Sequence, residues 1–265
     1  MVTRTPISIE MRTCPDSGKE KVHVGTEGKL HTIIIDRKSE EECIEKIKNA
    51  IRHATDLIAG SNKGISKDSI IVKAELKNIP NLNLTDLPGL TLTALRDQGQ
   101  PEDIKQQLIE LARHYCGFTN TIVLGVFPAR PDLEADYAFS ILKTITNTDS
   151  IIGVLTKPDL VEDQNSLKDI LEGHQSLDLQ LKQGYFVVRT DVNETEESAW
   201  FNSTWTAVRE RTGVDTLSHY CSKMQLELLR LHIPQLQDTI ISLEKIVSNE
   251  LIFFLNRKYL KTMIK

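Results

Sequence analysis

Short runs rich in Ile and Val recur through the first two-thirds of this chain, and helical patterns fill the gaps between them. The runs are "PISIEM" (6–11), "HTIII" (31–35), "SIIVKAEL" (69–76), "LNLT" (82–85), "TIVLGVF" (121–127), "IIGVL" (151–155) and "YFVV" (185–188). β-Branched residues in stretches this short predict strands. The last four lack polar alternation, which predicts burial on both faces. Between them, "SEEECIEKIKNAIRHATDLIAG" puts Ile44, Ile47, Ile51, Ala54 and Ile58 on one helical face. Ser39 and Glu42 stand at capping-box spacing before that face, and Gly60 ends it. "PEDIKQQLIELARHYC", with Pro101 at its first helical position, and "LEADYAFSILKTI" supply further helices. Strands alternating with helices predict an α/β fold, a mostly parallel sheet with helices on both faces.

From about Gly213 the pattern becomes helix alone. The boundary predicts two regions, 1–212 and 213–265. Leu217, Cys221, Met224, Leu228 and Leu231 form an apolar stripe, and Ile233-Pro234 should kink or restart the helix. Packing on its own domain or on a neighbouring element is favoured for this helix over a membrane or peptide-binding role.

Charge excludes one class of partner. The 265 residues carry a net charge of -5, with no basic cluster of the kind nucleic acid requires. The four cysteines, Cys14, Cys43, Cys116 and Cys221, are scattered without a C-x-x-C pair. They read as free thiols of a reducing compartment, so a cytoplasmic location is expected. The first residues have no long apolar core, and no apolar run is long enough to span a bilayer.

Two motifs carry chemistry. In "NLNLTDLPGL" a strand end delivers Asp86 to the carboxyl edge of a sheet, where open α/β folds bind ligands. A carboxylate there can hold Mg²⁺ through water, and the side-chain-free N–H of Gly89 can approach a terminal phosphate. Alone, Asp-x-x-Gly is equally compatible with an ordinary turn. In "IIGVLTKPDLV", Thr156-Lys157-Pro158-Asp159 follows another buried strand directly. The Asp159 carboxylate can accept from the ring N–H and the exocyclic amino group of guanine together. Adenine presents an acceptor at the ring position, leaving the carboxylate unpaired. Lys157 can lay its aliphatic stem over the base.

With these motifs in order, the chain resembles the dynamin superfamily of large GTPases, and Mx-type members most closely. The likeness runs from the first residues to roughly residue 245. Its collinear blocks are "GISKDSIIVKAELKNIPNLNLTDLPGL", "PEDIKQQLIELARHYC", "IIGVLTKPDLVE", "LKQGYFVV" and "LRLHIPQLQDTI". The resemblance implies GTP and GDP as ligands with Mg²⁺. It further implies hydrolysis by in-line attack of water, coupled to self-association through the GTPase domain. Membrane or microtubule association of the intact protein is implied as well. "VTRTP" looks like the first switch, which gives Thr3 the metal-binding and water-positioning role. Asp86 and Gly89 match the second switch, with Asp86 reaching the metal through water. Thr156, Lys157 and Asp159 match the base-reading motif. "VVRTDVNE" stands where the family's last base and ribose loop lies, with Thr190-Asp191 in place of the usual Asn-Arg or Cys-Arg.

A phosphate-binding G-x-x-x-x-G-K-[ST] is missing from these residues. Gly18-Lys19 precedes Glu20 and Gly28-Lys29 precedes Leu30, so neither qualifies. The resemblance places that loop upstream of Met1. Impaired nucleotide binding, low stability of the chain alone and the absence of most of the stalk are therefore expected. The alternative is a non-catalytic fragment that docks on full-length relatives.

Other residues read as structural. His114 and Cys116 have no third ligand, and Asp16, Ser17 and His23 have no triad spacing. "RPDLEADY" reads as a loop and helix start. By resemblance, Asp132 to Asp136 lie near the self-association surface.

Overall fold

The computed structural model of the chain describes residues 4–15, 18–60, 65–90, 101–118, 121–129, 133 and 136–263. Its first half builds a five-stranded sheet from β1 (Ile7–Thr13), β2 (Lys21–Thr26), β3 (Lys29–Ile34), β4 (Ile70–Leu76) and β5 (Leu82–Asp86). The strand order is β3-β2-β4-β1-β5. Two residues, Glu27 and Gly28, turn β2 back onto β3, and Gly28 takes the positive φ of 78° that the tight turn needs. β2 has no Ile/Val run: its "KVHVGT" alternates polar with apolar, burying only one set of side chains, Val22 and Val24.

The sheet is mixed. β1 and β4 are parallel, whereas β1–β5, β2–β3 and β2–β4 are antiparallel. The parallel pair needs a crossover, and α1 (Glu40–Ala59) lies within it. Ala54 is buried in a cluster with Val22, Val24, Ile70, Val72 and Ala74, and Ile47, Ile51 and Ile58 pack against it. Ile44, expected on the same face, is exposed. Ser39 makes no side-chain cap; Asp36, which accepts from the Lys38 N–H, starts the preceding 3-10 turn instead. Gly60 closes α1 as expected, donating to Asp56 O.

The second half builds a three-stranded, all-parallel sheet, ordered β6 (Val123–Pro128), β7 (Ile151–Thr156), β8 (Tyr185–Val188). Its crossovers carry α3 (Tyr137–Ile145) and α4 (Gln164–Glu172), and α2 (Ile104–Cys116) precedes it. Pro101 sits before the cap residue Asp103 rather than inside α2. α5 (Glu194–Thr204) follows β8. The larger core lies here, around Leu133, Ile151, Leu155, Leu167, Tyr185 and Val187. β7 and β8 are buried on both faces as predicted. β5 and β6 are not: each ends the order of its own sheet, and Val126 and Asn83 face solvent.

From Val214 to Met263 runs one helix, α6, which continues through Pro234 without the predicted restart. The compact units are Met1–Ser222 and Lys223–Lys265. No helix among the described residues is long and apolar enough to cross a membrane. All four cysteines are free and buried.

Candidate functional site

Two strand ends and the segments that follow them, with the loop after β8, hold those residues singled out in the sequence that the structure describes. Thr156 closes β7, in register with Pro128 of β6 and Val188 of β8. Its carbonyl accepts the Ala129 N–H at 2.7 Å and its hydroxyl donates to Phe127 O at 3.2 Å. The end of β7 is thereby fixed to the end of β6.

Lys157 then takes a left-handed conformation, φ 56° and ψ 47°. Pro158 disfavours the right-handed helical region for the residue before it, and a Lys at positive φ is uncommon. The chain turns sharply into a 3-10 turn, Pro158–Leu160, closed by Leu160 N–H to Lys157 O at 3.2 Å. Gln164 braces the turn, donating to Pro158 O at 2.8 Å and Val161 O at 2.7 Å. Pro158 is buried while Lys157 and Asp159 face outward. The backbone thus anchors the turn and leaves Asp159 accessible.

Asp159 has a neighbour that lies outside its own motif. Its Oδ1 lies 3.8 Å from Arg189 Nε. Arg189 follows β8 and forks onto Asp191, Nε to Oδ1 at 3.2 Å and Nη2 to Oδ2 at 3.1 Å. That guanidinium holds the Asp191 carboxyl below the usual carboxylate range. Arg189 also stands 5.5 Å from the Trp200 ring centre, within cation–π reach. Its backbone N–H donates to Glu197 Oε1 at 2.7 Å, and Glu197 Oε2 accepts the Val214 N–H at 3.0 Å. Glu197 is 3% exposed, so both oxygens are spent on fixing the loop after β8 and the first residue of α6. Thr190, marked in the sequence, is exposed between Arg189 and Asp191. The signal for Arg189 was present in "VVRTD", a cation placed directly after a fully buried strand.

Asp86 is the last residue of β5, in register with Ile7 of β1. It is solvent-accessible, yet the surrounding protein partly desolvates it and pushes its carboxyl above the ordinary range. Among the described residues it has no ion-pair partner, so burial is unopposed. Beyond it Pro88 is buried, and Leu87 and Leu90 pack against the larger core. The segment leaving the first sheet therefore lies on the core of the second. At Gly89 a Cβ would meet nothing within 4 Å, leaving the approach to its backbone open. Thr3 lies outside the described residues, but Arg4 beside it is held by Asp56 at 2.7 Å and Gly60 O at 3.1 Å.

The remaining candidates resolve as packing. His114 makes edge contacts with Tyr115 and Phe118, and Cys116 is buried with its thiol pushed up by desolvation. Asp136 caps α3, accepting from Ala138 N and Phe139 N. Asp132, with residues 134 and 135, lies outside the described residues, as do Asp16 and Ser17.

Comparison with known proteins gives consistent matches. The model of the Dynamin family matches residues 1–158. Interferon-induced GTP-binding protein Mx2 of Canis lupus familiaris is 34% identical over 192 residues, covering 71% of this chain and 25% of that protein. The protein of the same name from Oncorhynchus mykiss is 30% identical over 258 residues, covering 91% of this chain and 39% of its own. This chain thus spans well under half the length of either relative. A solved structure of an oligomerised bacterial dynamin pair covers 90% of this chain at 14% identity, with a TM-score of 0.40.

Proposed function

Because this chain belongs to the dynamin family, we propose that its first unit is the guanine-nucleotide-binding region of a dynamin-like GTPase. The intact protein would hydrolyse GTP and couple that cycle to self-association through the GTPase domain. The observation that carries the reading is the turn after β7: a buried strand, a left-handed Lys157 and an outward Asp159. Asp159 reads the guanine edge, Lys157 covers the base plane, and Thr156 holds the turn to β6. Arg189 neutralises Asp159 when no base is present, and Thr190 borders the base. Asp86 and Thr3 serve the Mg²⁺ side and Gly89 the terminal phosphate. A solvent-accessible carboxylate without a cation partner among the described residues suits Asp86 to a divalent ion. Bound Mg²⁺ would neutralise phosphate charge. The relatives' printed name, GTP-binding, supports the ligand class. Membrane or microtubule association of the intact protein belongs to the same proposal, and buried free thiols suit a cytoplasmic setting.

No G-x-x-x-x-G-K-[ST] occurs in the sequence, which favours impaired affinity in these residues by themselves. It also supports the second reading, a non-catalytic unit docking on full-length relatives. Calorimetry with Mg²⁺–GTP and Mg²⁺–ATP tests both. The expected result is weak binding, Kd above about 100 µM, with GTP preferred over ATP and the preference lost in Asp159→Asn. Micromolar or tighter GTP binding would contradict the impairment, and equal response to ATP would contradict the base assignment.

A further inference from the structure

A single guanidinium stands between two carboxylates at the loop after β8. Arg189 Nε lies 3.2 Å from Asp191 Oδ1, and Nη2 lies 3.1 Å from Asp191 Oδ2. Asp159 Oδ1 is 3.8 Å from the same Nε, within ion-pair range but too far for a hydrogen bond. A guanidinium carries one positive charge, so one of the two carboxylates is left without a charge partner of its own. The forked bonds go to Asp191. Among the described residues Asp159 accepts no hydrogen bond, so its oxygens are unspent. The alternative pairing is close at hand. A movement of about 1 Å would bring Nε within hydrogen-bond distance of Asp159. The Asp159 side chain is 27% exposed and that of Asp191 52%, so the pair with Asp159 would lie in the more sheltered place. Attraction between opposite charges grows with shelter from water, so without Asp191 the guanidinium should close on Asp159.

We propose that Asp191 is a positioning residue for base choice: by holding the Arg189 fork it keeps the Asp159 oxygens free for the two N–H donors of guanine. The proposal rests on the guanine-nucleotide reading of the turn after β7. An arginine fork turned onto Asp159 would fill the two oxygens that the ring N–H and the exocyclic amino group need. Adenine has no ring N–H to offer that carboxylate, so its nucleotides lose little when the oxygens are filled. Asp191 therefore acts on the choice of base and not on the phosphates. Two further contacts keep the guanidinium where Asp191 can hold it. The Arg189 N–H is fixed on Glu197 Oε1 at 2.7 Å, and the Trp200 ring stands 5.5 Å from the guanidinium carbon.

Calorimetry of the full chain with millimolar Mg²⁺–GDP and Mg²⁺–ADP tests the role. Asp191→Asn should lower GDP affinity at least about fivefold, with little change for ADP. Arg189→Met added to Asp191→Asn should return GDP affinity to within about twofold of the wild type, because the competing cation is gone. A merely structural role for Asp191 would give no such rescue. The Arg189 Nε–H resonance of the ¹⁵N-labelled chain reads the same arrangement without nucleotide. Asp159→Asn should move that resonance strongly in the Asp191→Asn chain and much less in the wild type. Equal affinity of the wild-type chain for GDP and ADP would refute the base reading, and the resonance would still decide whether Asp191 holds Arg189 off Asp159. A GDP preference that survives Asp191→Asn, a loss that Arg189→Met does not reverse, or a resonance that ignores Asp159 in the Asp191→Asn chain overturns the proposal.

Discussion

Glu197 is the buried carboxylate on which the loop after β8 depends. One oxygen accepts from the Arg189 N–H and the other from the Val214 N–H. Glu197→Leu would remove the protein partner of two part-buried amides and should cost about 1 kcal/mol per lost bond, measured by urea unfolding. Gly153 is a second sensitive position. It pairs with Tyr185 across β7–β8, and a Cβ there would sit 2.1 Å from the Tyr185 ring. That ring is buried and its hydroxyl donates to Leu179 O at 2.6 Å, so it cannot swing aside without losing the bond. Gly153→Val should destabilise the chain by about 1–3 kcal/mol or more. Neither effect was legible in "IIGVL" or "ETEESAW", because both depend on which strand or loop comes to lie opposite. The place of Asp159 just after a buried strand was legible, because that placement is local to one turn. Arg189 stood visibly after a buried strand, but its approach to Asp159 was not legible, since that arises only when the ends of β7 and β8 are brought together.

At the scale of elements, Ile- and Val-rich strands and helices ended by glycine were the readable ones. β7, β8, β4 and α1 announce themselves by composition, and the Gly60 cap of α1 by its glycine. α4 left its signals in Asp163 and Gly173, a cap at each end, but it is short. α5 has no apolar stripe to find and is marked only by Asn193 and the acids behind it. The β2–β3 hairpin is fastened from outside by Glu20. Its carboxylate takes a forked pair of bonds from Arg37, at 2.9 and 2.6 Å, and one from the Lys77 N–H at 2.8 Å. The Arg37 bond lowers the Glu20 carboxyl most, and together these hold it at about 2. A carboxyl depressed in the folded state contributes stability above its unfolded value near 4.5, and that contribution is lost as pH falls toward about 2. The wild-type chain should therefore lose more stability between those pH values than Glu20→Gln, measured by urea unfolding at each pH. Equal losses would mean that the Arg37 fork does not hold in solution.

For the whole molecule, the decisive relation is between two sheets. β5, which ends in Asp86, belongs to the mixed sheet, and β7, which leads to Asp159, belongs to the parallel one. Composition forecast one mostly parallel sheet, but hairpins in the first half need only short turns, and they set antiparallel neighbours there. What connects the halves near the site is Leu87 and Leu90, packed on the larger core just beyond Asp86. In a single nucleotide site both carboxylates serve one ligand. Titrating the ¹⁵N-labelled chain with Mg²⁺–GDP tests this directly in the ¹H–¹⁵N spectrum. Amides of residues 86–90, 157–161 and 189–191 should shift together along a single saturation curve, while Mg²⁺–ADP at the same concentration shifts them less. Movement of one segment without the others, or an equal response to ADP, would contradict a shared guanine-nucleotide site.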